Sequence, residues 1–88
     1  MEATVIYDNI ADRELIEQID SKFPIFINYI DFNSKQGKKN AYKIKSHWAA
    51  RKNPFIELKD EDKVIKVFYS DSKGDNAVLN FVNFLTRD

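Results

Sequence analysis

The chain contains no cysteine. That absence removes disulfides, thiolate catalysis, iron-sulfur ligation and the usual structural zinc sites together. Two glycines and two prolines in 88 residues argue against disorder, and the sequence shows no linker, low-complexity stretch or internal repeat. No apolar run approaches the roughly 18 to 20 residues that span a bilayer. The start, "MEATVIYDN", lacks the basic flank and apolar stretch of a secretory signal. A soluble, cytoplasmic protein with no membrane attachment is expected. Net charge is missing too: fourteen basic and fourteen acidic side chains cancel, so the molecule as a whole is not steered towards nucleic acid.

What is present is bulky apolar surface. Hydrophobic residues make up 43% of the chain, with seven Phe, four Tyr and one Trp, enough to offset the ordering entropy of one small core and no more. Residues 1-88 are therefore expected to form a single domain. Charge is unevenly spread: residues 1-34 hold seven acidic and two basic side chains, whereas 35-52 hold seven basic ones and no acid.

"TVIYDNI" is β-branched and aromatic and reads as a first strand ending in a turn at Asp8 and Asn9. Asp12 then caps a helix over 12-23, with Leu15, Ile16, Ile19 and Phe23 on its apolar face; Pro24 ends it. "IFINYIDF" is apolar on both alternating faces, the pattern of a strand covered on both sides in the middle of a sheet. "NSKQGKKN" reads as a polar turn. Asn40 then caps a second helix to about Arg51, whose apolar arc is Ala41, Ile44, Trp48 and Ala49, with Tyr42 at its edge. Lys45 falls within that arc, its stem covering the core and its ammonium reaching water. Strand residues Phe55, Ile56 and Leu58, a "DED" turn and the run Val64-Tyr69 make a hairpin. "SDSKGDN" leads into a last helix with Val78, Phe81, Val82 and Leu85 on one face.

The order β-α-β-α-β-β-α, with "VIYDN" near the start, "NPFIEL" at the third strand and "GDNAVLNFVNFL" at the end, resembles the thioredoxin and glutaredoxin family over nearly the full chain. The resemblance implies a minimal thioredoxin fold of class α/β. Its four-stranded mixed sheet would have parallel strands 1 and 2 in the centre, antiparallel strands 3 and 4 at one side, and helices on both faces. It also implies a cis Asn53-Pro54 bond, where the residues alone read as a trans proline opening an edge strand.

Redox members place a nucleophilic cysteine just after strand 1, where a helix N-terminus lowers its pKa. The matching stretch here, "YDNIADRE", has none. Thiol-disulfide exchange has no nucleophile, so a non-enzymatic role is expected. The family's glutathione site maps onto Arg51, Lys52, Asn53, Pro54, Gly74, Asp75 and Asn76, although the last turn lacks the family's second glycine. The plain reading of Asp75 and Asn76 is a helix cap. No cofactor is expected.

Other constellations are weak. His47 is the only histidine and has no cysteine to share a metal. Ser46 and His47 are neighbours on a helix and diverge by about 100°. "DEDK" at 60-63 lacks the glycine and spaced oxygens of a calcium loop.

Two surfaces are candidates for binding. One is the former active-site corner: Asp8, Asn9, Ile10, Trp48, Arg51, Lys52, Asn53 and Pro54, expected to meet a protein partner. Ile10 marks a contact patch if exposed and is otherwise tucked under the first helix. The other is the basic segment with Lys35, Lys38, Lys39 and Lys43. It suits an acidic protein partner, or alternatively nucleic acid, although its lysines are expected to project from several sides of the helix. A monomer or weak dimer is expected. The Asn, Lys, Ile and Phe-rich composition is similar to that of small accessory proteins of phages of low-GC bacteria, which would place the protein in a host cytoplasm.

Overall fold

The computed structural model describes residues 1-48, 52-71 and 74-87, with the side chains of Ser46, His47 and Trp48 outside that description. The elements run β1 (Glu2–Tyr7), α1 (Ile10–Asp20), β2 (Phe26–Asp31), α2 (Lys35–Trp48), β3 (Phe55–Asp60), β4 (Lys63–Phe68) and α3 (Ala77–Thr86). The expected order of strands and helices is observed, in an α/β arrangement with one mixed sheet.

The sheet order is β2-β1-β3-β4. β1 pairs parallel with β2 and antiparallel with β3, and β3 pairs antiparallel with β4. The centre is thus β1 and β3, and the expectation that β2 lies in the middle is corrected: it is an edge strand. Its two apolar faces have another cause. Ile27 and Tyr29 pack on the core beneath α1 and α3, while Ile30 packs on the smaller core beneath α2. Helical cover on both faces therefore extends to the edge of the sheet, and two-sided apolarity reports that cover rather than centrality. Phe26, at the strand's start, is 70% exposed.

The larger core joins Val5, Ile16, Ile56, Leu58, Val78 and Phe81; the smaller joins Ile6, Ala41 and Phe55. Fully burying such side chains contributes about 1.5 to 3 kcal/mol each, and alternation along β3 divides them: Ile56 and Leu58 face one layer, Phe55 the other.

Both helix starts in the first half of the chain differ from expectation. α1 begins at Ile10, because Asn9 is an earlier cap than Asp12: its Oδ1 accepts from the Ala11 N–H at 3.0 Å. Asp12 lies in the first turn instead. α2 begins at Lys35, five residues before Asn40. Ser34 Oγ accepts from the Gly37 N–H at 2.9 Å, and Ser34 O from the Lys38 N–H at 2.9 Å, so the polar "NSKQGKK" run is a cap and the opening of the helix. Gly37 is there for space: a Cβ would collide with the Asp31 carbonyl oxygen and crowd Ser34 Oγ. Asn76 caps α3, its Oδ1 accepting from Val78 and Leu79 N–H.

The β3-β4 turn places Glu61 at φ 51° and Asp62 at φ 66°, the left-handed pair of a two-residue hairpin loop. The Asn53-Pro54 peptide is cis.

Candidate functional site

At the end of β1 the chain meets the approach to β3, and three polar side chains join there. Lys45, from α2, donates from Nζ to Asn53 Oδ1 at 2.7 Å, and Asn53 Nδ2 donates to Asp8 Oδ2 at 3.3 Å. Asn33 Nδ2 donates to the Asp8 backbone carbonyl at 2.6 Å. Segments far apart in sequence are thereby tied at one corner. The Lys45 ammonium also lies 4.7 Å from the centroid of the Phe32 ring, a favourable contact for a desolvated cation.

Lys45 corrects its expected role. It is only 3% exposed, so its ammonium ends on Asn53 rather than in water. Burial pulls its pKa below the ordinary lysine range, and the charge of Asp8 opposes that shift. On α1, burial raises the Asp12 carboxyl and the charge of Asp8 raises it further. The cluster has no thiol or hydroxyl nucleophile beside a base. Its chemistry is that of a satisfied polar bridge. No group of three or more His, Cys, Asp or Glu able to hold a metal occurs among the described residues.

The structure brings Asp8 and Asn53 together, with Asn9 next to them as the α1 cap. Ile10 opens α1 and is 56% exposed. The expectation that it tucks under the helix is corrected: it lies in the first turn, outside the stripe that buries Ile16. Lys52 is exposed and Asn53 half-buried. Pro54 is buried, which corrects its placement among the contact side chains. Its carbonyl accepts from Ser70 Oγ at 2.7 Å, and that hydroxyl accepts from the Ala77 N–H at 3.0 Å. Arg51 and the Trp48 side chain lie outside the described residues.

Of the residues matched to a glutathione site, Asn53, Asp75 and Asn76 are engaged internally, whereas Lys52 is exposed. Both polar ends of the Asn53 amide are bonded, Asn76 is a cap, and the Asp75 N–H donates to Asp71 Oδ1 at 3.0 Å.

Sequence reasoning missed Lys45, Asn33 and Phe32 as parts of this corner. The available signal was Lys45 itself, a cation on an apolar helical arc, where a buried partner is required as well as a snorkelling path.

The basic segment also changes character. The basic side chains do project from several sides of α2, with Lys38 towards Phe32 and Lys45 buried, but because the helix already starts at Lys35, three of them, Lys35, Lys39 and Lys43, stand four residues apart in one exposed row. Lys38 sits 5.3 Å from the Phe32 ring centroid, and exposed Tyr42 packs edge-on against Phe32 at 5.5 Å. None of the three lysines in the row has an ion-pair partner among the described residues.

Comparison with protein-family models, with curated proteins and with solved structures returns no match.

Proposed function

We propose that this chain is a redox-inactive protein of the thioredoxin and glutaredoxin type that acts by binding another protein, as an adaptor or inhibitor. Support for the type comes from the β2-β1-β3-β4 order, from β3 running antiparallel to both neighbours, and from Pro54 directly preceding β3. The loop where the family keeps its cysteine carries Asp8, Asn9 and Ile10, and a chain without thiols has no exchange chemistry.

The observation that carries the binding role is Ile10. A large apolar side chain stands exposed beside a loop held by Asn33 and Asn53. A preorganised apolar anchor in a polar rim is how protein contacts concentrate their energy. Affinity capture from bacterial lysate, with and without nuclease, tests the role. A defined protein retained after nuclease and lost with Ile10→Asp supports it; background-level capture by the unaltered protein refutes it.

The lysine row favours a second reading, nucleic-acid binding by α2. Consecutive lysines four residues apart rise about 6 Å along a helix, comparable to phosphate spacing, with Tyr42 available for stacking. Salt-dependent retardation of DNA or RNA, weakened when Lys35, Lys39 and Lys43 become Glu, is the expected result on this reading.

A further inference from the structure

We propose that the open edge of β4 docks an extended, acidic segment of another protein, which adds to the sheet as a fifth strand and sets a carboxylate in the groove between β4 and α3. β4 pairs with β3 alone, so its outer side presents backbone donors and acceptors that have no ladder partner. The register locates the usable part of this edge. Val64 faces Lys59 and Lys66 faces Leu58, which leaves Ile65 as an extra residue, whereas Lys66, Val67 and Phe68 pair regularly with Leu58, Glu57 and Ile56. The bulge bends the first half of the strand. Residues 66-68 remain as a regular template.

A groove of about 380 Å³ opens beside that same stretch. Phe68 and Phe84 form its apolar wall, with their rings edge-on at 5.7 Å. Lys66, Asn80, Asn83 and Arg87 stand exposed around it. Side chains of an added strand alternate between the two faces of the sheet, so every second residue of the guest lies on the α3 face, over the groove. Backbone pairing gives such a contact its affinity, and the flanking pocket gives it selectivity.

The chemistry of the occupant follows from charge. Lys66 Nζ lies 5.6 Å and 5.8 Å from the Phe68 and Phe84 ring centroids, and neither Lys66 nor Arg87 has an ion-pair partner among the described residues. Against these two cations the lining holds one carboxylate, Asp75. A guest glutamate or aspartate supplies the second. Another copy of β4 does not: the strand carries Lys63 and Lys66 and no acid, so pairing it with itself brings like charges together, a common guard against edge-to-edge association. A small anion would answer the cations and leave the edge unpaired, whereas an extended acidic chain answers both. The contact is short and belongs among weak, transient ones. It shares no residue with the Asp8-Asn53 corner, so its test and that of the proposed binding role fail independently.

End-blocked heptapeptides Thr-Val-Thr-X-Thr-Val-Thr, with X as Glu, Lys or Thr, are the probes, titrated into the nitrogen-15-labelled full chain to about 2 mM. The expected result is saturable shifts of the 66-68 backbone amides and the Asn80 and Asn83 side-chain amides, with the Glu peptide binding about fivefold or more tighter than the Lys peptide. Lys66→Glu, with its amide dispersion retained, should invert that preference. N-methylating one alternating set of amides in the Glu peptide should abolish binding and the other set should spare it, because only one set faces β4. No shift at 66-68 with any peptide, equal binding of the Glu and Lys peptides, or undiminished binding of both methylated peptides would overturn the proposal.

Discussion

Lys45 donates a 2.7 Å hydrogen bond to Asn53 across the gap between α2 and the start of β3, and Asn53 passes the connection to Asp8. The order of costs follows from which group is left stranded. Asn53→Ala leaves a buried ammonium without its acceptor and should destabilise by about 2 to 4 kcal/mol. Lys45→Met keeps the stem and removes the charge, so about 1 kcal/mol is expected. The double variant should resemble Lys45→Met alone, which urea unfolding of the four proteins measures.

The same lysine sets a pH dependence. Its pKa is lowered on folding, so between the folded value and the ordinary 10.5 the unfolded chain binds more protons, and stability rises with pH. Tyr29 acts the other way. Its hydroxyl is raised above 10.0, chiefly by burial and then by Asp20, to which it donates at 3.3 Å. Stability it contributes is present below pH 10.0 and declines above. In a Tyr29→Phe background, urea midpoints should climb towards pH 10.5, and adding Lys45→Met should flatten the climb.

Gly37 separates propensity from space. Helix propensity alone favours Gly37→Ala by about 1 kcal/mol. The Asp31 carbonyl blocks the added Cβ, so net destabilisation of about 1 to 3 kcal/mol is expected on unfolding. A stabilised variant would contradict the packing of α2 against the end of β2.

At the hairpin, Glu61 and Asp62 hold left-handed conformations that Asn and Gly adopt more readily. Both side chains are exposed, so exchanging them disturbs little besides the backbone preference. The double variant Glu61→Asn with Asp62→Gly should therefore gain about 1 kcal/mol in unfolding free energy, measured by urea titration.

Element order was legible because β-branched runs, caps and the charged hairpin turn are local signals. Strand placement was less so: "FINYID" shows that helices cover both faces, and nothing in it reports whether a strand or an edge lies beside it. The start of α2 was hidden because Ser34, Gly37 and the lysines look like a solvated turn. Only the proximity of the Asp31 carbonyl explains a glycine within the helix. Asp8 and Asn53 were legible as parts of one surface through the family resemblance. Lys45 was seen on the apolar arc, but its partner, eight residues on and beyond the helix, depends on how α2 packs. Ile10 needed coordinates, since a cap at Asn9 rather than Asp12 decides which way it points.

A photo-crosslinking amino acid in place of Ile10, with Glu61 at the far hairpin as the control position, measures whether this corner meets a protein. The expected result is one defined, nuclease-resistant protein adduct from position 10 and none from position 61. Adducts that are identical from both positions, or none from position 10 in a folded protein, would contradict a binding surface built at the loop after β1.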